Sequence, residues 1–96
     1  MTVGIARLTF HLYEGQSLKD KRRVVKGLVE KTRHRFSVSV AEVADQDLLQ
    51  KAVIGVAVIG SDGRVLNSVL DRIIDFTVSL GLAELVDREI ELIPLG

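Results

Sequence analysis

From Val3 to Leu12 the side chains alternate, with Gly4, Ala6, Leu8, Phe10 and Leu12 on one side and Val3, Ile5, Arg7, Thr9 and His11 on the other. Successive strand side chains point to opposite faces, so this period of two predicts a first strand. The turn-like YEGQ then leads into Ser17-Leu18-Lys19-Asp20. The serine hydroxyl can accept from a free helix N–H while Asp20 reaches back, a capping box that predicts a helix start. At about 100° per residue, Leu18, Val25, Leu28, Val29 and Thr32 gather on one side, with Val24 at its border. That side is expected to meet the sheet.

Phe36, Val38 and Val40 then alternate with Ser37, Ser39 and Ala41, which predicts a second strand before a polar connection around Asp45-Gln46-Asp47. A third strand is expected from Lys51 to Ile59. Gly60-Ser61-Asp62-Gly63 is a turn in which Ser61 or Asp62 caps the next helix. In that helix Leu66, Val69, Leu70, Ile73, Phe76, Thr77 and Leu80 recur at helical spacing, and Gly81 supplies the C-cap. From Ala83 to Leu95, Arg88, Ile90 and Leu92 alternate with Asp87, Glu89 and Glu91, predicting a fourth strand. The order βαββαβ, with right-handed crossovers, places both helices on one face of a four-stranded antiparallel sheet. The expected fold is therefore α+β, a ferredoxin-like sandwich forming a single domain over residues 1–96.

Composition narrows the chemistry. Apolar residues make up 47% and charged residues 27% of the 96, the balance of a folding globular domain. The absence of cysteine removes disulfides, thiolate nucleophiles and the usual structural zinc sites. The first residues lack a signal-type pattern, and the longest apolar run, AVIGVAV, falls short of the roughly 20 residues of a membrane helix. A soluble, cytoplasmic protein is expected.

Charge changes the picture most. The formal net charge is zero, yet eight of the thirteen Lys and Arg lie between Ser17 and Phe36 against only Asp20 and Glu30. That segment carries +6 and the rest of the chain −6, so the surface should have one basic face. On the helical wheel Lys19, Arg22, Arg23, Lys26 and Arg33 fall within an arc of roughly 100°, interrupted only by Glu30. Lys21 falls among the apolar residues. Its stem is expected to lie along the core while its ammonium reaches water near the helix start, a sixth and weaker contact. Cations near a helix N-terminus are disfavoured by about 0.3–1 kcal/mol each, so stability alone would place acids there. Free N–H groups at a helix start favour phosphate, and neighbouring Lys and Arg deepen such a site. RNA or a ribosomal particle is the expected partner; the plain alternative is a solvated basic face.

Other candidates carry less. The outward sheet residues Arg7, Thr9, His11, Ser37, Ser39, Gly55 and Ala57 offer no base-stacking platform, and Phe10, Phe36 and Phe76 belong to core-facing series. The small Ser39, Ala41, Gly55 and Ala57 suit close approach of a second copy, so a homodimer through the sheet face or an edge is the rival reading. Asp87, Glu89 and Glu91 read as protection of an edge strand. Gly60-Ser61-Asp62-Gly63 is a weak match to nucleotide-clamping Gly-x-x-Gly loops because it follows a strand. Glu42, Asp45 and Asp47 lack the continuation of a calcium loop, which Leu49 and Gln50 interrupt. His11 and His34 accompany no nucleophile, and Tyr13-Glu14-Gly15-Gln16 is no acylphosphatase-type phosphate loop. No catalytic set, metal site or cofactor is implied, and an enzyme is not expected. Gly27 points to solvent on the wheel.

Three segments, S-L-K-D-K-R-R at 17–23, S-V-S-V-A-E at 37–42 and D-L-L-Q-K-A-V-I-G at 47–55, resemble the YlxP-like family of uncharacterised bacterial proteins. The resemblance runs from the first strand into the second helix and implies a ferredoxin-like domain of this length without an assigned activity. Genes of that family often lie among those for translation initiation and ribosome maturation factors, which implies a link to the ribosome or RNA. The chain departs from the family pattern at Leu49, where an aromatic is frequent. The resemblance brings no catalytic residues, only the Ser17, Leu18, Lys19, Lys21 and Arg22 signature.

Overall fold

A computed structural model describes residues 1–13 and 17–96. The chain runs through β1 (Thr2–His11), α1 (Leu18–Arg35), β2 (Ser39–Ala44), β3 (Lys51–Gly60), α2 (Gly63–Ser79) and β4 (Glu84–Pro94). The turn expected over Tyr13 to Gln16 falls mostly on residues outside those described.

The sheet has the order β2-β3-β1-β4, with every neighbouring pair antiparallel. β1 pairs with β3 from Thr2 opposite Gly60 to His11 opposite Lys51, and on its other side with β4 from Thr2 opposite Pro94 to His11 opposite Glu84. These registers make Gly4, Ala6, Leu8 and Phe10 the core-facing series of β1, all buried. Val3, Ile5, Arg7 and Thr9 therefore lie on the open face. The helices cover only the first of these faces, giving the two-layer ferredoxin-like sandwich expected from the periodicities.

The core joins Leu8, Phe10 and Leu12 to Leu28 from α1, Ile54 from β3, and Leu70, Ile73 and Ile74 from α2. Each such side chain contributes about 1.5–3 kcal/mol on burial. At the start of α1 the Ser17 hydroxyl accepts from Asp20 N–H at 3.1 Å, but the Asp20 carboxylate turns outward to Arg23 at 2.6 Å instead of completing the reciprocal box. Asp62 caps α2, its carboxylate accepting from Arg64 N–H at 2.9 Å. Gly81 takes φ +65° just beyond the helix end, where a Cβ would strain the backbone.

Four expectations are corrected. β2 begins at Ser39, not Phe36, because α1 runs to Arg35 and the Phe36 N–H closes its last turn on the Thr32 carbonyl at 2.9 Å. The alternating pattern starts earlier because Phe36 and Val38 already pack against the core before a partner strand is reached. Leu18 is exposed, and Lys21 occupies the buried arc in its place. Gly27 does not face open solvent, since a Cβ there would sit 3.0 Å from Leu82 Cδ1. The wheel placed Gly27 correctly around α1 but could not show that the segment after α2 folds over it. Phe76, expected to face the core, is only half-buried and lies edge-to-face on the Phe36 ring, which does pack against the core. No helix among the described residues is long and apolar enough to cross a membrane.

Candidate nucleic-acid interface

The exposed side of α1 carries Lys19, Arg22, Arg23, Lys26 and Arg33, all solvent-accessible as the wheel requires. Their electrostatic situations differ. Arg23 pairs with Asp20 one turn away, and Arg33 donates to the Val40 carbonyl at 2.7 Å across the β2 edge. Lys19, Arg22 and Lys26 make no ion pair among the described residues. A basic row therefore survives folding, shorter than the sequence implied and centred on the first two and a half turns of the helix. Lys31 and Arg35 extend it on the flank toward α2.

Lys21 is the correction within the set. Its side chain is only 2% exposed, so the ammonium does not reach water and cannot serve as a phosphate contact. It donates to the Asp45 carbonyl and lies 3.3 Å from Glu42 Oε2. That carboxylate oxygen is buried without a well-aligned hydrogen bond, so its contact with the lysine is mainly Coulombic. Asp45 holds φ +56°, a left-handed conformation that aspartate tolerates better than most residues. Its carbonyl also accepts from Leu48 N–H at 3.0 Å, while its carboxylate takes Lys51 at 3.0 Å. Snorkelling needs a route to solvent, and the connection between β2 and β3 closes that route while supplying acceptors. The segments Ser17–Arg23 and Ser37–Glu42 thus meet through Lys21 and Glu42. A signal existed in the sequence: Lys21 stands in the apolar arc of its helix, and Glu42 continues the core-facing series Val38, Val40.

The acids of β4 sit elsewhere. Asp87, Glu89 and Glu91 line the β4 edge on the open face, opposite the helical layer, and Glu89 binds Arg7 at 2.7 Å. Of the acidic trio Glu42, Asp45 and Asp47, two are engaged by lysines, and no three His, Asp or Glu groups converge to hold a metal among the described residues.

Two surface clefts stand near α1. The larger, about 840 Å³, lies between the start of β2, the end of β3 and the start of α2, walled by Val38, Val65, Leu66 and Val69 with Ser37 and Ser61 at its rim. The other, about 730 Å³, opens between α1 and α2 around Phe76.

The open sheet face is more apolar than Ser39, Ala41, Gly55 and Ala57 alone suggested. Register adds Ile5, Ile59 and Ile93 to it, exposed by 36%, 66% and 44%.

The chain is 31% identical over 74 residues to "Uncharacterized protein YlxP" of Bacillus subtilis (strain 168), which covers 77% of this chain and 80% of that protein. A solved structure from Deinococcus radiodurans, described as a "putative antibiotic biosynthesis monooxygenase", superposes over 100% of this chain and 93% of its own, with a TM-score of 0.44 and 15% identity. The profile of the family described as "Protein of unknown function (DUF503)" matches residues 3–90, from β1 into β4. The chain belongs to this DUF503 family, whose YlxP-like members it resembled from its three sequence segments.

Proposed function

We propose that the protein is an RNA- or ribosome-associated accessory module acting in the cytoplasm, and that it docks on phosphates through α1. The observation that carries this reading is the row Lys19, Arg22 and Lys26, which make no ion pair among the described residues and start in the first turn of α1, where the dipole disfavours a cation such as Lys19. Arg23 and Arg33 stand beside the row, and a phosphate can compete for either because both remain exposed. Asp87, Glu89 and Glu91 lie on the other face, so an approaching polyanion meets on α1 a mainly cationic surface, broken by Glu30 and by Asp20, which Arg23 pairs. The test is fluorescence anisotropy with a labelled single-stranded RNA at low salt. Lys19, Arg22 and Lys26 changed together to Glu should abolish binding with the circular dichroism spectrum unchanged; equal affinity of variant and parent removes the reading.

A second reading is favoured by the open face of the sheet, where Ile5, Ile59 and Ile93 expose apolar surface beside small residues. Contiguous exposed apolar area of this kind marks an interaction surface, and two such faces stacked about a two-fold axis would bury it. This homodimer uses the side of the molecule opposite α1. Sedimentation equilibrium tests it: the parent should be dimeric and Ile59→Lys monomeric, whereas a monomeric parent at high concentration ends this reading.

A further inference from the structure

The cleft between the two helices adds something that phosphate docking does not require. Its wall is the half-buried ring of Phe76 from α2, and its rim is Glu30, Lys31, His34 and Arg35 from the last turns of α1. The ring is held by an edge-to-face contact with Phe36, centroids 5.5 Å apart at 79°, and Arg35 in turn lies 5.3 Å from the Phe36 centroid. An aromatic wall, two cations without ion pairs among the described residues and one carboxylate thus share a single opening.

Its position ties it to the basic row. Arg22, Lys26, Glu30 and His34 stand at successive i, i+4 positions, one ridge of α1 that runs from the exposed cations to the cleft mouth. Lys26 and Lys31 are separated by roughly 7.5 Å along the axis at 1.5 Å per residue. A single strand whose phosphates follow the ridge therefore reaches the cleft without leaving the helix.

We infer that this cleft is a nucleobase subsite: an unpaired base stacks on Phe76 while Lys31 and Arg35 hold its flanking phosphates and Glu30 accepts from an amino group on the base edge. The inference rests on the reading of α1 as a phosphate-docking helix and deepens it by naming unpaired, single-stranded nucleic acid as the ligand class. Duplex bases are stacked and closed to such a cleft, whereas splayed bases offer a ring face and a free edge. Glu30, which interrupts the cationic arc and repels phosphate, gains a role as an acceptor for adenine, cytosine or guanine amino groups that uracil lacks. The volume of about 730 Å³ lies within the span of ligand clefts and admits a nucleotide.

The experiment compares two labelled strands of equal length and charge, an oligoadenylate and its abasic counterpart, with a 2-aminopurine reporter in the first. The parent should bind the oligoadenylate at least about fivefold more tightly than the abasic strand, the lower end of what base–aromatic stacking supplies, and should quench the reporter. Phe76→Leu, which keeps the position apolar, should erase that preference and the quenching while leaving abasic affinity unchanged. Equal parent affinity for both strands overturns the subsite and leaves phosphate docking standing. Binding of neither strand overturns both. Should Phe76→Leu fail to fold, Glu30→Gln provides the check: it should keep the stacking signal yet reduce discrimination between oligoadenylate and oligouridylate, and unchanged discrimination rejects the role given to Glu30. The parent's ratio of the two strands decides the subsite itself.

Discussion

Replacing Lys21 by methionine separates structural from docking cations more sharply than any other single change. The substitution keeps length and apolar stem but removes the ammonium that binds the Asp45 carbonyl and faces Glu42. Breaking a buried ion pair from one side costs about 3–5 kcal/mol, because the remaining charge stays desolvated. The Glu42 side chain is 20% exposed, so water recovers part of its solvation and the lower end, about 3 kcal/mol, applies here. A domain of this length has a total stability of about 5–14 kcal/mol at 0.05–0.15 kcal/mol per residue, so the variant should fold but with a reduced margin. At about 4–8 °C per kcal/mol for domains of this size, the melting temperature should fall by roughly 12–24 °C. Thermal and urea unfolding followed by circular dichroism read this directly. Adding Glu42→Leu should restore most of the loss, since an apolar pair of similar volume replaces a buried ion pair at little or no cost. Binding to RNA per folded molecule should stay at the parent value. A Lys21→Met protein within about 1 kcal/mol of the parent would mean that the ammonium sits in solvent, and the argument for its structural role would fail.

Other expectations follow from the same geometry. Ile73→Ala, at a position with no exposure, should cost about 2–5 kcal/mol in urea unfolding. Gly27→Ala gains about 1 kcal/mol of helix propensity but brings a Cβ to 3.0 Å from the mobile end of Leu82, so stability should move by less than that amount; Gly27→Leu should destabilise by about 1–3 kcal/mol through overpacking. Arg33→Ala withdraws the donor on the Val40 carbonyl of edge strand β2, and light scattering should show association that rises with concentration as the bared edge pairs.

Periodicity carried the architecture. Period-two runs at Val3–Leu12 and Lys51–Ile59, and the 3.6-residue spacing of Leu66, Leu70, Ile73 and Thr77, are local patterns, and the elements they predict are present within a residue or two. What escaped depends on contacts between distant segments. Leu82 over Gly27, the Asp45 carbonyl over Lys21 and the Val40 carbonyl under Arg33 join residues that no local pattern pairs. The basic row was legible for the same local reason as the helix, whereas its division into cations that are paired, buried or without an ion pair among the described residues was not. Phe76 illustrates the limit: its helical spacing places it with the core, but its ring is left half-buried in a cleft beside His34 and Arg35.

The central claim is that Lys19, Arg22 and Lys26 together form a phosphate-docking row. The most direct measurement is the dependence of the RNA binding constant on salt, plotted as logarithms, for single-stranded RNA. The three contacts of the row contribute about −2 to the slope, at roughly −0.7 per phosphate neutralised on a single strand; Lys31 and Arg35 at the cleft bring it to about −3.5, and Lys26→Gln should make it shallower by about 0.7. A binding constant indifferent to salt, or a slope unchanged by Lys26→Gln, contradicts the account.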